Sequence, residues 1–323
     1  MGLLDGIRRR RAGRPSGSGR RGRAGSERPP APFVVGIARS GTTLLRLMLD
    51  AHPELTIPPE THFLPRLFTH FDRWVADGVE GDELRERAME LITSHPRWGD
   101  IDLDPEQVRA RMASHDPLTA GDAARSFYEA YAAHEEKQRW GDKSPPYTWK
   151  AKRIQRALPE AHFIHLIRDG RDVAMSLSEV SWGPGDVQAA ATKWVEELSR
   201  ARHRARRLSR GTYMELRYED LVVDPEPLLR EIVEFVDLPW SPSMLEYHHG
   251  AEQRMKEVIR DFHPLGGGTI TAEERQRQHE LVKSPPSSSR VGRWRTEMSA
   301  EDRAAFEGVA GKLLAELGYE VEK

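Results

Sequence analysis

The chain has 323 residues, 38% of them hydrophobic and 31% charged, enough for one large α/β domain or two small ones of soluble, globular character. Cysteine is absent, which excludes disulfides, thiolate zinc sites and cysteine nucleophiles; no run approaches the roughly 18 apolar residues that cross a bilayer. The formal net charge of -2 is uneven, because residues 1–30 hold nine arginines against Asp5 and Glu27, leaving 40 basic and 49 acidic residues for the rest, so an anion site in the body must be local.

Residues 1–30 are rich in Arg, Gly, Ser and Pro and lack the apolar side chains that offset ordering entropy. They are expected to be a disordered basic tail ahead of a folded domain at 31–323, with nucleic acid not expected as a partner. With no apolar leader and no cysteine, a cytoplasmic location is expected.

Phe33-Val34-Val35 is a short apolar run entering a glycine turn, and residues 43–49 are helix-forming, which reads as strand, loop, helix. The intervening residues 36–43, GIARSGTT, have the spacing G-x-x-x-x-G followed by two residues. A P-loop would carry Lys-Ser or Lys-Thr there, and Thr42 stands in the lysine's place. Successive N–H groups and a helix N-terminus still favour an anion, and Arg39 supplies a cation earlier in the loop. A lone glycine turn can also be simple chain reversal, but the strand before and the helix after favour the anion site. An ATP-dependent kinase would need the missing lysine; a catalytically inactive nucleotide-binding module is a second alternative.

Farther along, Pro58-Pro59-Glu60-Thr61 precedes an apolar periodic run, and helical patterns follow near 80–94, 105–114, 121–138 and 147–157. Residues 163–167 are a second strand, with a helix from about Asp172 and a long polar-faced helix at 186–208. Residues 213–216 are a third strand, helices at 225–236 and 299–317 close the chain, and 262–292 reads as a long Gly, Pro and Ser-rich loop. Strands alternating with helices predict an α/β, P-loop-like three-layer fold, a central parallel sheet flanked by helices. Arg168 falls at the carboxyl end of the second strand, where open parallel sheets bind ligands, and its planar fork suits a phosphate. Ser176 lies about one turn into the next helix and can face the same phosphate; alternatively, Arg168 pairs with Asp172.

Taken together, GIARSGTTLL and LIRDGRDVAMS resemble the two nucleotide motifs of the sulfotransferases that use 3′-phosphoadenosine-5′-phosphosulfate (PAPS), including the Arg-to-Ser spacing. The stretch from Arg39 to Arg66 is similar to the tyrosylprotein sulfotransferase branch throughout. The resemblance implies that Arg39, Ser40, Gly41, Thr42 and Thr43 bind the 5′ side and that Arg168 and Ser176 bind the 3′-phosphate. It further implies Glu60 as general base, Lys143 and Arg39 as catalytic cations, and Tyr218 and Lys283 near the cofactor. The implied reaction is in-line sulfuryl transfer from PAPS, leaving 3′,5′-ADP, with no metal expected.

Other readings of these residues stay open. Glu60 also fits a first-turn helix acid, Lys143 an exposed strand-end charge, and His62 is the strongest competing base. The late segment Arg290-Val291-Gly292-Arg293-Trp294-Arg295 departs from the glycine-rich motif of many cytosolic members, leaving its 3′-phosphate role open. A membrane anchor like that of the animal tyrosylprotein enzymes is not expected, since residues 1–30 hold no long apolar run. The acceptor is not legible: a hydroxyl or amine on a small molecule, a carbohydrate or a peptide tyrosine all fit, and a homodimer is left open. Trp74, Trp98, Tyr128, Trp149 and Trp182 are candidates for lining its pocket or for packing the core.

Overall fold

In the computed structural model, which describes residues 27–265 and 267–321, the strands are β1 (Ala31–Gly36), β2 (Leu55–Thr56), β3 (Arg139–Trp140), β4 (Asp142–Lys143), β5 (Ala161–Ile167) and β6 (Tyr213–Arg217). The expected tail lies outside the described residues except for its last four, 27–30. Four strands form a wholly parallel sheet in the order β4-β1-β5-β6, and β2 pairs with β3 beside it. Every residue of β1 and β5 is buried, so these strands are near-continuous apolar runs covered on both faces.

The helices are α1 (Thr42–Asp50), α2 (Leu64–Ala76), α3 (Gly81–Thr93), α4 (Pro105–Ala113), α5 (Ala120–His134), α6 (Ala151–Ala157) and α7 (Gly170–Ser178). They continue with α8 (Val187–Ala205), α9 (Tyr218–Val223), α10 (Pro225–Phe235), α11 (His248–Lys256), α12 (Ala272–His279), α13 (Trp294–Glu297) and α14 (Ala300–Glu316). Side-chain alternation along the strands sorts the core. Phe33 and Phe163 face Phe63, Phe68 and Phe127 on one side, while Val34 and Ile164 face Leu45, Met48 and Ile232 on the other. At the carboxyl ends, Ile37 and Ile167 pack with Val173, Trp194 and Phe306. Helices on both faces of a parallel sheet make the expected three-layer α/β architecture.

The register sets up the site. Gly36 pairs with Leu166, so β1 and β5 end level with each other and deliver residues 37–41 and 168–169 to the same sheet edge. A Cβ on Gly36 would lie 2.7 Å from the Leu166 carbonyl oxygen, so only glycine lets the strands stay that close there.

Two expectations need correction. The sheet has a fourth strand, β4, which at two residues is too short to show a period. Residues 262–292 are not all loop, because α12 runs through them, its N-terminus capped by the Thr271 side chain accepting from the Glu274 N–H. Only Arg275 of that helix is buried, so it carries no apolar stripe to read.

Candidate active site

The loop from β1 to α1 turns through two left-handed residues, Arg39 (φ 71°) and Gly41 (φ 90°). Gly41 is the N-cap of α1, and a Cβ there would meet the Tyr218 ring at 2.3 Å, so both the turn and the ring require glycine. Thr42, Thr43 and Leu44 form the first helical turn, whose N–H groups have no intrahelical acceptor and face outward with the positive end of the dipole. Ser40 contributes differently: its N–H donates to the Ile37 carbonyl at 3.2 Å and its side chain is buried, which braces the loop.

Arg168, at the end of β5, reaches this loop directly. Its Nη1 donates to the Arg39 carbonyl at 3.0 Å and its Nη2 to the Arg290 carbonyl at 2.6 Å. Its guanidinium lies 4.6 Å from the centre of the Tyr218 ring, and among the described residues its buried Nε has no hydrogen-bond partner. Arg39 Nε donates to Ser176 Oγ at 3.0 Å, which ties the two motifs together. Burial, and then the neighbouring Arg168, push the Arg39 pKa down, with Glu179 opposing the shift. Asp172 is not the partner of Arg168: its carboxylate accepts from the Gly292 and Trp294 N–H groups at 2.7 and 3.1 Å.

Glu60 and Lys143 meet one step away. Lys143 Nζ lies 2.7 Å from Glu60 Oε1 and 3.5 Å from Thr43 Oγ1. The other carboxylate oxygen is 3.0 Å from His62 Nε2 and 3.2 Å from Arg97 Nη2. Burial pushes the Glu60 pKa up, but Lys143, Arg97 and His62 outweigh it and hold the carboxyl well below its ordinary value. Burial lowers the Lys143 pKa, and Glu60 opposes that shift. Lys143 is only 4% exposed, so it is no solvated strand-end charge, and Glu60 lies before α2, outside its first turn. His52 is structural, its ring between the Pro239 carbonyl and the Glu54 N–H.

Two adjoining cavities surround these groups. The larger, about 780 Å³, is bordered by Arg39, Gly41, Thr42, Thr43, Arg168, Ser176 and Tyr218. The smaller, about 370 Å³, holds Glu60, His62 and Arg97 with Trp149, Trp182 and Phe262. Arg39, Thr42, Thr43, Gln278 and His279 border both. Lys283 stands apart: its Nζ donates to Glu280 at 2.9 Å, although its neighbours Val282 and Ser284 line the larger cavity. Arg290 borders that cavity while pairing with Glu179, whereas Arg293 and Arg295 are engaged with Glu297 and Glu320. Of the candidate aromatics, Trp149 and Trp182 line the smaller cavity, and Trp74, Trp98 and Tyr128 pack in the core.

Sequence reading misses Arg97, Phe262 and His279. Arg97, in the short 3-10 turn Pro96–Asp100, and Phe262, in the loop before α12, stack at 4.0 Å from lone positions with no spacing to announce them. Burial, then Lys143 and Arg39, push the His279 imidazole down to about 3, so it is neutral between the cavities. Among the described residues, no group of three or more His, Asp or Glu side chains could hold a metal ion, and no helix is long and apolar enough to cross a membrane.

Comparison with known proteins finds sulfotransferases among both its sequence relatives and its structural neighbours. The chain is 27% identical over 304 residues to protein-tyrosine sulfotransferase A of Caenorhabditis elegans, covering 90% of this chain and 67% of that one. It is 26% identical over 303 residues to protein-tyrosine sulfotransferase 2 of Gallus gallus, covering 91% and 71%. In fold it is similar to the sulfotransferase domain from the curacin biosynthetic pathway, with TM-score 0.60, 22% identity, and 92% and 100% of the two chains covered. It is likewise similar to the sulfotransferase domain of the Synechococcus PCC 7002 olefin synthase, with TM-score 0.58, 23% identity, and 91% and 96% covered. Residues 30–242, which contain the β1 and β5 strand ends and the Glu60–Lys143 pair, match the sulfotransferase family, and the chain belongs to that family.

Proposed function

We propose that this sulfotransferase takes its sulfuryl group from PAPS and passes it to a hydroxyl or amine, with Glu60 as general base. The observation that carries this reading is the junction of the two cavities at Arg39, Thr42 and Thr43, beside the Glu60–Lys143 pair. The larger cavity takes the nucleotide, its 3′-phosphate toward Arg168 and Ser176 and its 5′ end on the α1 amides. The acceptor enters the smaller cavity.

The acceptor oxygen attacks sulfur as the bond from sulfur to the bridging phosphate oxygen breaks. The electron pair leaves on that oxygen to give 3′,5′-ADP, and the acceptor proton goes to Glu60. Arg39, Lys143 and the helix amides supply positive charge where it accumulates on the transferring oxygens. A carboxylate as strongly paired as Glu60 is a weak base. The donor relieves this by drawing on Lys143, which already lies between Glu60 and Thr43. Trp149, Trp182 and Phe262 around the base suit a flat ring bearing the hydroxyl, and the relatives' names make peptide tyrosine the first acceptor to test.

The test is a screen of sulfuryl-labelled PAPS over phenols, sugars, amines and tyrosine peptides. Transfer to none of them defeats the proposal. Glu60→Gln should cut turnover by about two to four orders of magnitude while 3′,5′-ADP still binds. Unchanged turnover removes Glu60 from the mechanism.

A further inference from the structure

Glu60 and Lys143 come from segments far apart in sequence, and each has a neighbour facing the opposite way. Residues one apart on extended chain point to opposite sides. Thr61 follows the base and Asp142 precedes the lysine, and these two also meet: Thr61 Oγ1 donates to Asp142 Oδ2 at 2.8 Å. The outward pair closes at 2.7 Å beside the smaller cavity, which Glu60 lines, and the inward pair closes in the core with both residues 0% exposed.

The inward contact is part of a larger clasp. Tyr128 OH also donates to Asp142 Oδ2 at 2.8 Å, and Tyr147 OH lies 2.9 Å from Thr61 Oγ1. The Thr61 N–H donates to Ser144 Oγ at 3.2 Å, and the Leu64 N–H donates to Tyr147 OH at 3.1 Å. Backbone and side chain of the base-bearing segment are therefore held at several points on and just after β4. Between them His62 takes a left-handed conformation, φ 55°, uncommon for a residue with a side chain, which turns the segment between Thr61 and Leu64.

A buried carboxylate is a costly way to satisfy a threonine. Asp142 Oδ1 has no hydrogen-bond partner among the described residues. Burial pushes the carboxyl up to about 6, with the Thr61 and Tyr128 hydroxyls pulling the other way. Packing alone would be served as well by an apolar pair at these positions. The cost is explained if the contact sets the geometry next door.

We propose that Thr61 and Asp142 are positioning residues, a buried clasp that sets the Glu60 carboxylate against the Lys143 ammonium at the point of sulfuryl transfer. The inference rests on Glu60 acting as the base. Displacing a reacting group by about 1 Å costs about a hundredfold in rate, so the clasp governs turnover more than nucleotide affinity.

Thr61→Val, which keeps the shape and removes the hydroxyl, should lower kcat about a hundredfold, leave the 3′,5′-ADP dissociation constant unchanged, and be rescued by Thr61→Ser. In the same variant the Glu60 carboxyl, followed by carbon-detected NMR, should titrate nearer the ordinary value of about 4.3 as it loses Lys143. Asp142→Asn should give the same pair of effects, and the double variant should lose little more than either single one. A wild-type kcat together with an unmoved Glu60 titration overturns the clasp, as does a loss of kcat matched by an equal loss of 3′,5′-ADP binding. Should Thr61→Val not fold, Tyr147→Phe removes a partner of the same hydroxyl and carries both readouts. If the unaltered protein transfers nothing from PAPS, the proposed reaction falls, and the titration still decides the clasp.

Discussion

Arg168 spends two of its donors on the chain itself, on the carbonyls of Arg39 and Arg290, and keeps a third, its Nε, without a partner among the described residues. A buried N–H left unpaired costs roughly 1–3 kcal/mol, and a phosphate oxygen removes that cost where no other group does. The expectation is therefore selective. Arg168→Ala should weaken binding of nucleotides bearing a 3′-phosphate by about 2–5 kcal/mol. It should leave adenosine 5′-phosphosulfate, which lacks that group, nearly untouched, as calorimetry with the two ligands would show. Equal losses for both would mean that Arg168 braces the loop and reads no phosphate. Arg168 and Ser176 are legible in the sequence because a strand-end arginine and a serine one helical turn later follow simple geometry. Arg97 is not, since only folding brings its guanidinium to 3.2 Å from Glu60.

Helix α12 and its flanks, which read as loop, wall both cavities. With so little apolar contact, α12 depends on charge: Asp100, 2% exposed, accepts from Arg275 Nη1 at 2.9 Å and from Nη2 at 2.8 Å. The same carboxylate accepts from Arg260 Nε at 3.1 Å and Arg97 Nη1 at 3.1 Å, so one acidic side chain holds α12 as a strap along the cavities and steadies Arg97 beside Glu60. Removing one partner of a buried pair leaves the other charge uncompensated, at a cost of about 3–5 kcal/mol. Asp100→Ala should release the strap before the sheet unfolds, seen as faster proteolysis within 257–292 with the fluorescence-detected unfolding transition still cooperative. An unchanged cleavage pattern would mean that α12 is held by other contacts, such as Glu274 on Ser181.

Across the molecule, buried histidines link stability to acid. His165, on β5 with its Nδ1 2.7 Å from Tyr213 OH, is pushed down to about 4 by burial, and His95 likewise to about 4. His279 is held lower still, at about 3. The unfolded chain protonates these rings near pH 6.5, so between there and about pH 4 it binds more protons than the folded one. Stability therefore rises with pH through that window and is lost on acidification. For His165, 1% exposed, the gap corresponds to roughly 3 kcal/mol once pH is below 4. Asp142, raised to about 6, acts in the opposite sense over part of the window and blunts the slope. Urea titrations from pH 7 to pH 4 should show a falling midpoint, with a shallower fall in His165→Gln. A midpoint that is flat with pH, or an unaltered slope in the variant, would contradict a neutral buried imidazole.

What the sequence determines by itself is the parallel α/β architecture and the placing of two strand ends, at residues 36–43 and at Arg168, on one edge of the sheet. Apolar runs, the glycine turn and the Arg-to-Ser spacing are local patterns whose physical meaning survives without coordinates. The tertiary structure decides which charges meet. Glu60, Lys143, Arg97 and His279 lie on four separate segments, and their pairing and ionisation depend on through-space distance, as does the cavity wall that Glu60, Arg97 and His279 share. The same holds for Thr61 and Asp142, whose contact follows from side-chain alternation on two segments joined only by the fold. Electrostatic coupling and burial are properties of position in space, and no one-dimensional pattern encodes them.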